Sequence, residues 1–107
     1  MEEEHTESQL NALIAAVKLW GKDKNLHDPI MQFAKMNEEV GGIAHELTRG
    51  HYNSDEMVDA IGDTFVTLII LADILNIDLY PALHEAYTTI STRKGATVNG
   101  SFVKEDN

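Results

Sequence analysis

Acidic residues gather in two short stretches of the sequence, and carboxylates are the side chains that bind hard divalent cations. Glu38, Glu39 and Glu46 lie in the first stretch, and Asp59 and Asp63 lie in the second. In a helix, Glu39 and Glu46 share one face, as do Asp59 and Asp63. If the two helices pack antiparallel, the carboxylates converge, and oxygen ligands favour Mg²⁺, or else Mn²⁺, over zinc. The alternative is a set of solvated helix faces, since 18 Asp and Glu stand against 8 Lys and Arg.

The composition indicates one domain and disfavours several classes of partner. A length of 107 residues allows one hydrophobic core, so we expect a single domain over 1–107, with the core at about 6–95 and a tail at 96–107. The net charge of -10 predicts no nucleic-acid partner and no membrane partner, because both favour a basic surface. The absence of cysteine, the acidic N-terminus and the shortness of the apolar run at 65–75 predict a cytoplasmic protein.

Hydrophobic periodicity predicts two helices in the first half of the chain. Apolar residues spaced by three and four predict a helix over residues 6–20, which the polar segment 21–26 ends. Asp28-Pro29 predicts the start of a second helix, which ends at Gly50. The adjacent Gly41 and Gly42 inside it indicate close packing or a kink. The apolar residues that we expect to face inwards are Leu10, Leu13, Ile14, Val17 and Trp20 on the first helix, and Ile30, Phe33, Ala34, Val40, Ile43, Ala44 and Leu47 on the second.

The third helix is predicted to be the central one. Ser54 is its expected N-cap, and the segment 65–75 is apolar nearly all round. A helix of that kind is central in a bundle or is covered by a partner chain. We therefore expect an all-α protein with a four-helix core and a short C-terminal β-hairpin or tail, assembling as a dimer or tetramer.

The C-terminal third is predicted to contain a fourth helix and a hairpin. The helix begins near Asp78 and ends at 93–95, where basic residues precede a glycine. We expect it to bury Leu83, Ala86, Tyr87 and Ile90. The Asn-Gly pair within 97–103 predicts a tight hairpin turn, and residues 104–107 are expected to be loose.

These motifs, taken in order, resemble the MazG-like all-α nucleoside triphosphate pyrophosphohydrolases, in a short phage-type form. Residues 35–41, which read K-x-x-E-E-x-G, look like the first acidic motif of that family, and residues 59–63 look like the second. Trp20, residues 27–29 and Gln32 are similar to the segment before the first motif. Residues 86–87, 93–95 and 99–104 are similar to the end of short phage members.

The resemblance implies a chemistry and a set of site residues. Such proteins use Mg²⁺ to split a nucleoside triphosphate between the α and β phosphates, giving the monophosphate and pyrophosphate. Glu38 and Glu39 correspond to the first motif, with Glu38 as the candidate base, and Asp63 corresponds to the aspartate of the second. Gly42 and Ala60 stand where two further acids are expected.

The spacing of residues on the predicted helices offers replacements for the two missing acids. Asp59 lies one turn from Asp63, and Glu46 lies on the face of Glu39. The predicted metal ligands are therefore Glu38, Glu39, Asp59, Asp63 and Glu46.

Five further residues are candidates for binding the substrate. Lys35 lies one turn before Glu39 and is placed to contact phosphate, although a surface ion pair explains it as well. Trp20 and Tyr87 are candidates for stacking on the base, with a place in the core as the alternative. Arg93 and Lys94 are candidates for phosphate contacts, with stabilisation of a helix end as the alternative.

Two functions follow from the sequence. The first is a Mg²⁺-dependent pyrophosphohydrolase acting on a nucleoside triphosphate. The second is a weakened or inactive MazG-like oligomer that acts as a nucleotide-binding or interaction module, favoured by Gly42 and Ala60.

Overall fold

The structure is a computed structural model that describes residues 6–105. Four helices precede a two-stranded hairpin, which confirms the expected all-α class. The elements are α1 (Glu7–Asp23), α2 (Pro29–Thr48), α3 (Asp55–Ile74), α4 (Leu79–Ser91), β1 (Gly95–Val98) and β2 (Ser101–Lys104). The chain divides into two compact units, Met1–Ile77 and Asp78–Asn107. The acidic segment 1–5 and residues 106–107 lie outside the described residues.

Side-chain caps fix the starts of the first three helices. The Thr6 hydroxyl accepts from the backbone N–H of Gln9, which completes a capping box. The Asp28 carboxylate accepts from two backbone N–H groups of the first turn of α2, at 2.9 and 3.2 Å. The Ser54 hydroxyl accepts from the N–H of Met57 at 3.2 Å. The starts predicted at Asp28 and Ser54 are therefore confirmed, because each cap satisfies backbone donors that lack a partner within the helix.

Helix α1 is longer than its sequence predicts. The segment 21–26 was expected to end the helix, but α1 continues to Asp23 and the chain turns at Asn25, whose φ is 59°. Gly21 is buried, and a Cβ at this position would lie 3.3 Å from Ile70 Cγ1. The glycine therefore permits the close approach of α1 to α3.

Helix α3 supplies the apolar core of the first unit. Among residues 6–105, the buried hydrophobic ones are Met57, Ile69, Ile70 and Ala72, all on α3. Helix α2 packs antiparallel to α3, since Gln32 contacts Thr67 and Gly42 lies beside Ala60, and α1 packs on α3 as well. The central position predicted for the third helix is thus confirmed within this unit.

Many apolar residues that were predicted to face inwards are exposed. The prediction was wrong for Leu10, Leu13, Trp20, Ile30, Phe33, Val40, Leu47, Leu83, Tyr87 and Ile90. Ala34, Ala44 and Ala86 are exposed too. Each helix carries more apolar surface than its neighbours within one chain can cover.

The C-terminal hairpin is longer than predicted. Asn99 and Gly100 form the turn with φ of 51° and 84°, the left-handed values that a tight hairpin requires. Pairing begins at Gly95 with Lys104, and the backbone N–H of Glu105 donates to the carbonyl of Lys94 at 2.8 Å. Lys104 is therefore a strand residue rather than part of a loose tail. Helix α4 ends at Ser91, before the basic pair that was predicted to end it.

Within residues 6–105, no single helix is both long and apolar enough to span a membrane. The same test of length and composition is passed only by α3 and α4 taken together.

Candidate functional site

A cleft of about 680 Å³ lies between α1, α2 and α3 within the first unit. Its two long walls are faces of α2 and α3, and the link between α1 and α2 contributes to one end. The lining residues are Trp20, Asn25, Leu26, His27, Asp28, Met31, Gln32, Lys35, Glu39, Asp63, Val66, Thr67 and Ile70. Four sequence-predicted site residues, Trp20, Lys35, Glu39 and Asp63, are therefore brought together.

Three carboxylates and one ammonium group line the cleft, and the carboxylate of Asp28 is engaged as the cap of α2. Glu39 lies on α2 and Asp63 on α3, so the two acids approach from opposite walls. The Glu39 side chain is only 22% exposed, and its Oε1 lies 3.3 Å from Lys35 Nζ. This hydrogen bond from Lys35 to Glu39, together with the charges of Glu38 and Glu39, raises the pKa of Lys35 above its usual value. The ammonium group is thus fully charged at neutral pH.

The other three predicted metal ligands do not line this cleft. Glu38 is exposed and lies 3.7 Å from Lys35 Nζ, at the rim of the same ion pair. Asp59 is exposed on α3, one turn from Asp63. Glu46 is buried, and its Oε1 lies 3.0 Å from Nδ1 of His51.

The Glu46 carboxylate contacts His51 and does not line the cleft. Glu46 and Glu39 are seven positions apart, about 10 Å along the helix axis. The geometry favours a structural role for Glu46 at the end of α2. Within the described part of the chain, no three acidic or histidine side chains form a group that could hold a metal by themselves.

Gly42 and Ala60 lie next to each other across the α2–α3 contact. A Cβ on Gly42 would be 3.8 Å from the Ala60 Cβ, an ordinary van der Waals distance. The two positions at which the resemblance expects acids therefore form one small apolar contact, one turn from Glu39 and from Asp63.

The other end of the cleft is more apolar and contains residues that sequence reasoning missed. Trp20 is 52% exposed, so it is available to a ligand rather than buried in the core. Gln32 is buried in the wall, where its amide donates to the Thr67 carbonyl at 3.2 Å. A signal for Gln32 was present, because it shares the helix face of Lys35 and Glu39 at a spacing of three and seven. Asn25 and His27 lie in a link whose conformation no periodicity predicts.

The remaining predicted residues lie in the second unit. Tyr87 is exposed on α4, and Arg93 and Lys94 lie in the connection between α4 and β1. Thr92, rather than either basic residue, caps the end of α4.

A solved structure is similar to this chain in fold. The crystal structure of the Bacillus-conserved MazG protein, a nucleotide pyrophosphohydrolase, matches 88% of this chain and 97% of its own with a TM-score of 0.69 and 25% identity. The chain has a MazG-like fold. The resemblance identified from the acidic motifs is thereby confirmed at the level of the fold.

A second similarity is to a phage protein. An uncharacterized 18.2 kDa protein from the rep-hol intergenic region of Haemophilus phage HP1 (strain HP1c1) is 35% identical over 74 residues, which are 66% of this chain. The MazG-like chain spans 44% of the length of that protein. The similarity supports the phage-type character expected from the sequence. No family model matches the sequence.

Proposed function

We propose that this chain is a nucleoside triphosphate pyrophosphohydrolase that cleaves between the α and β phosphates. The observation that carries the proposal is the convergence of Glu39, Asp63 and Lys35 in one cleft. Support comes from the fold, which is shared with a structure described as a nucleotide pyrophosphohydrolase. Two carboxylates and an ammonium group suit a polyphosphate that arrives with a divalent cation.

The residues present fit a Mg²⁺ ion that depends on few protein ligands. Glu39 and Asp63 offer carboxylate oxygens from facing walls, and Glu38 lies at the rim. Mg²⁺ commonly retains several waters and takes one or two carboxylates together with substrate phosphates. When bound, the ion would neutralise charge on the phosphates and on the departing pyrophosphate. Mn²⁺ has the same preference for oxygen ligands and is the alternative ion.

The chain's own residues have separate roles in this proposal. Lys35 binds phosphate, since its ammonium group reaches into the cleft and its charge is secured by Glu38 and Glu39. Glu38 is the exposed partner of that group and is the candidate to orient the attacking water. We assign Asp59, one turn from Asp63, a secondary role in binding the metal.

The two ends of the cleft set the direction of the nucleotide. Lys35, Glu39 and Asp63 mark the phosphate end, whereas Trp20 and Ile70 lie toward the other end. Ile70 is seven residues beyond Asp63 on α3, or about 10 Å along the helix axis. We propose that the base lies at the end with Trp20, which offers a stacking surface.

A weakened, nucleotide-binding relative is the second candidate function. The Gly42–Ala60 contact favours it, because no carboxylate comes from either position. In that case nucleotide would bind in the same cleft with little or no turnover. Tyr87, Arg93 and Lys94 remain candidates for substrate contacts in both proposals.

We further propose that the protein self-associates as a dimer or a dimer of dimers. Helix α3 carries an exposed apolar stripe at spacings of three, four and three, formed by Val58, Ile61, Phe65 and Leu68. Stripes with this spacing pack helix against helix. None of the four residues lines the cleft. Sedimentation at micromolar concentration should give an oligomer, and a compact monomer would contradict this proposal.

The activity is tested with a panel of nucleoside triphosphates and Mg²⁺ or Mn²⁺. Pyrophosphate and orthophosphate are measured separately, because only cleavage between the α and β phosphates releases pyrophosphate in one step. Pyrophosphate release that disappears when the metal is chelated supports the enzyme. Nucleotide binding without release of either product supports the weakened relative.

A further inference from the structure

Gln32 is a buried polar residue in the wall of the cleft. It is only 6% exposed, yet it belongs to the surface of the cleft between α2 and α3. Burial of an amide has a free-energy cost unless its polar atoms are hydrogen-bonded. One of the two polar atoms of the Gln32 amide is hydrogen-bonded within the protein, because Nε2 donates to the carbonyl oxygen of Thr67 at 3.2 Å.

This bond fixes which way the amide points. A carbonyl oxygen only accepts, so the NH₂ group of Gln32 must face Thr67 and the other amide atom, Oε1, must be turned away. Among the described residues, no group donates a hydrogen bond to Oε1. Every fully buried side-chain N or O atom of the described residues has a hydrogen-bond partner. Because Oε1 has none, it is not fully buried, and it is accessible from the cleft that Gln32 lines. Gln32 thus presents a fixed acceptor to whatever occupies the cleft.

We propose that Gln32 Oε1 accepts a hydrogen bond from an N–H group of the nucleobase and is a specificity-determining contact. This inference rests on the proposed function, because it takes the occupant of the cleft to be a nucleotide. It assigns Gln32 to reading the base rather than to the chemistry at the phosphates.

Charge and position favour the base over the phosphates. An amide oxygen repels phosphate oxygens, which are themselves acceptors at neutral pH. Gln32 also lies seven residues before Glu39, about 10 Å along α2 from that carboxylate, and it contacts α3 at Thr67, one turn beyond Asp63. Trp20, Leu26 and Ile70 line the cleft as well and offer apolar surface to a base.

The rigid amide has a consequence for selectivity. A site that is built to bond a donor rejects an analogue without it, because the buried acceptor is then left unpaired. Rotation of the Gln32 amide cannot rescue the analogue without breaking the bond to Thr67. We therefore expect discrimination between bases that differ only in one N–H donor.

The test uses matched pairs of deoxynucleotides with a non-hydrolysable α,β-methylene triphosphate and Mg²⁺. The pairs are cytosine and 2-pyrimidinone, adenine and purine, guanine and hypoxanthine, and thymine and 3-methylthymine. Calorimetry on the wild-type protein should show roughly tenfold weaker binding of the donor-deficient analogue for the preferred base. In Gln32→Met, which keeps the length of the side chain, the two members should differ by no more than about twofold.

Thr67→Val is the matched control. Thr67 is also buried in the cleft wall, but its hydroxyl already donates to the Thr64 carbonyl at 2.7 Å. The substitution keeps the backbone carbonyl that orients Gln32, so the discrimination between paired bases should persist. Circular dichroism and thermal melting verify that both variants are folded.

Three results would overturn the inference, and the wild type alone gives two of them. Equal binding of both members of every pair would show that Oε1 contacts no base donor, while leaving the proposed function intact. A Gln32-dependent loss on removing a sugar hydroxyl, with none on changing the base, would show that the acceptor reads the sugar. The absence of any nucleotide binding or hydrolysis would instead refute the proposed function, and this inference with it.

Discussion

Gly42 and Ala60 face each other across the α2–α3 contact, and a Cβ on Gly42 would lie 3.8 Å from the Ala60 methyl carbon. These are the two positions at which the MazG resemblance expects acids. The absence of acids at these two positions therefore removes two neighbouring carboxylates from one part of the site. The two carboxylates on the facing walls of the cleft, Glu39 and Asp63, lie one turn away on each helix.

Gly42→Glu should restore part of the missing donor set. The position has room for a Cβ, and Glu outranks Gly in a helix interior, so stability should rise by roughly 0.5 kcal/mol. A carboxylate one turn from Glu39 should also tighten the binding of metal. Titration with Mn²⁺, followed by electron paramagnetic resonance, measures the affinity with and without nucleotide.

Gly41→Glu is the matched control for that experiment. A Cβ on Gly41 would meet nothing within 4 Å, so the same change occurs one residue away on open surface. It should give the same gain in stability with little change in metal affinity. Loss of both stability and nucleotide binding in Gly42→Glu alone would mean that the substrate or a partner helix needs the glycine.

Glu39→Gln and Asp63→Asn should each abolish metal-dependent turnover without unfolding the protein. Both changes remove ligand charge and reduce the repulsion between facing carboxylates. In Glu39→Gln this gain is set against the loss of the exposed ion pair with Lys35, which is small, so apo stability should stay about level in Glu39→Gln and stay level or rise in Asp63→Asn. Pyrophosphate release and thermal melting measure the two effects. Glu56→Gln, an exposed change in the first turn of α3, serves as the control and should cost at most a few tenths of a kcal/mol. Near-normal turnover of either cleft variant at limiting Mg²⁺ would place the metal elsewhere.

The sequence predicted the elements of the fold better than their surroundings. Local chemistry determines where a helix begins, so the caps at Asp28 and Ser54 could be identified from residue type and position alone. The end of α1 could not, because Gly21 is helical through a tertiary contact with Ile70. Exposure of α4 likewise depends on what covers its apolar face, which no periodicity specifies.

The part of the candidate site that depends on helix spacing could be predicted from the sequence, whereas the part that depends on tertiary contacts could not. Helix spacing places Lys35 next to Glu39, and antiparallel packing brings Asp63 opposite them. The role of Glu46 could not be derived in this way, since its partner His51 lies in the loop beyond α2. The orientation of the Gln32 amide could not be predicted either, because it depends on the backbone carbonyl of Thr67 on another helix.

Glu46→Gln should lower stability and leave metal binding unchanged. The Glu46 side chain is 12% exposed and lies 3.0 Å from His51 Nδ1, so neutralising it weakens a partly buried, charge-assisted hydrogen bond. A loss of about 1 kcal/mol is expected in denaturant unfolding. His51→Gln should show a similar loss. Weaker Mn²⁺ binding in Glu46→Gln at unchanged stability would instead support Glu46 as a metal ligand.

Gly21→Ala should fail to stabilise α1, although alanine is the better helix former. The added methyl group would lie 3.3 to 3.5 Å from three carbons of Ile70, which is buried. We expect the helix-propensity gain of about 1 kcal/mol to be offset by this crowding. Gly41→Ala, on open surface, should show the gain in full.

Combining Gly21→Ala with Ile70→Ala tests the cause. Removing the three Ile70 carbons that lie beside the new Cβ should relieve the crowding, so the two changes should be less destabilising together than their sum. Strict additivity in denaturant unfolding would mean that Gly21 is not held by Ile70.

Lys35→Met should weaken nucleotide binding and should reveal an alkaline pH dependence in stability. The hydrogen bond with Glu39, together with the charges of both glutamates, raises the pKa of Lys35 above its usual 10.5. A group whose pKa is higher in the folded state contributes stability that is fully present below the unfolded pKa. That contribution is lost as the pH rises through the folded pKa. The stability difference between wild type and Lys35→Met should therefore be constant from pH 8 to about 10 and should shrink above 10.5.

The size of that difference should be small, because Lys35 is exposed and solvent screens its ion pairs. Urea midpoints measured on both proteins at each pH cancel the titration of other lysines and of tyrosines. Glu39→Gln should flatten the dependence, because it removes the partner that raises the pKa of Lys35. A difference that grows above pH 10.5, or one that falls between pH 8 and 9, would show that the Lys35 ammonium is not held by these carboxylates in solution.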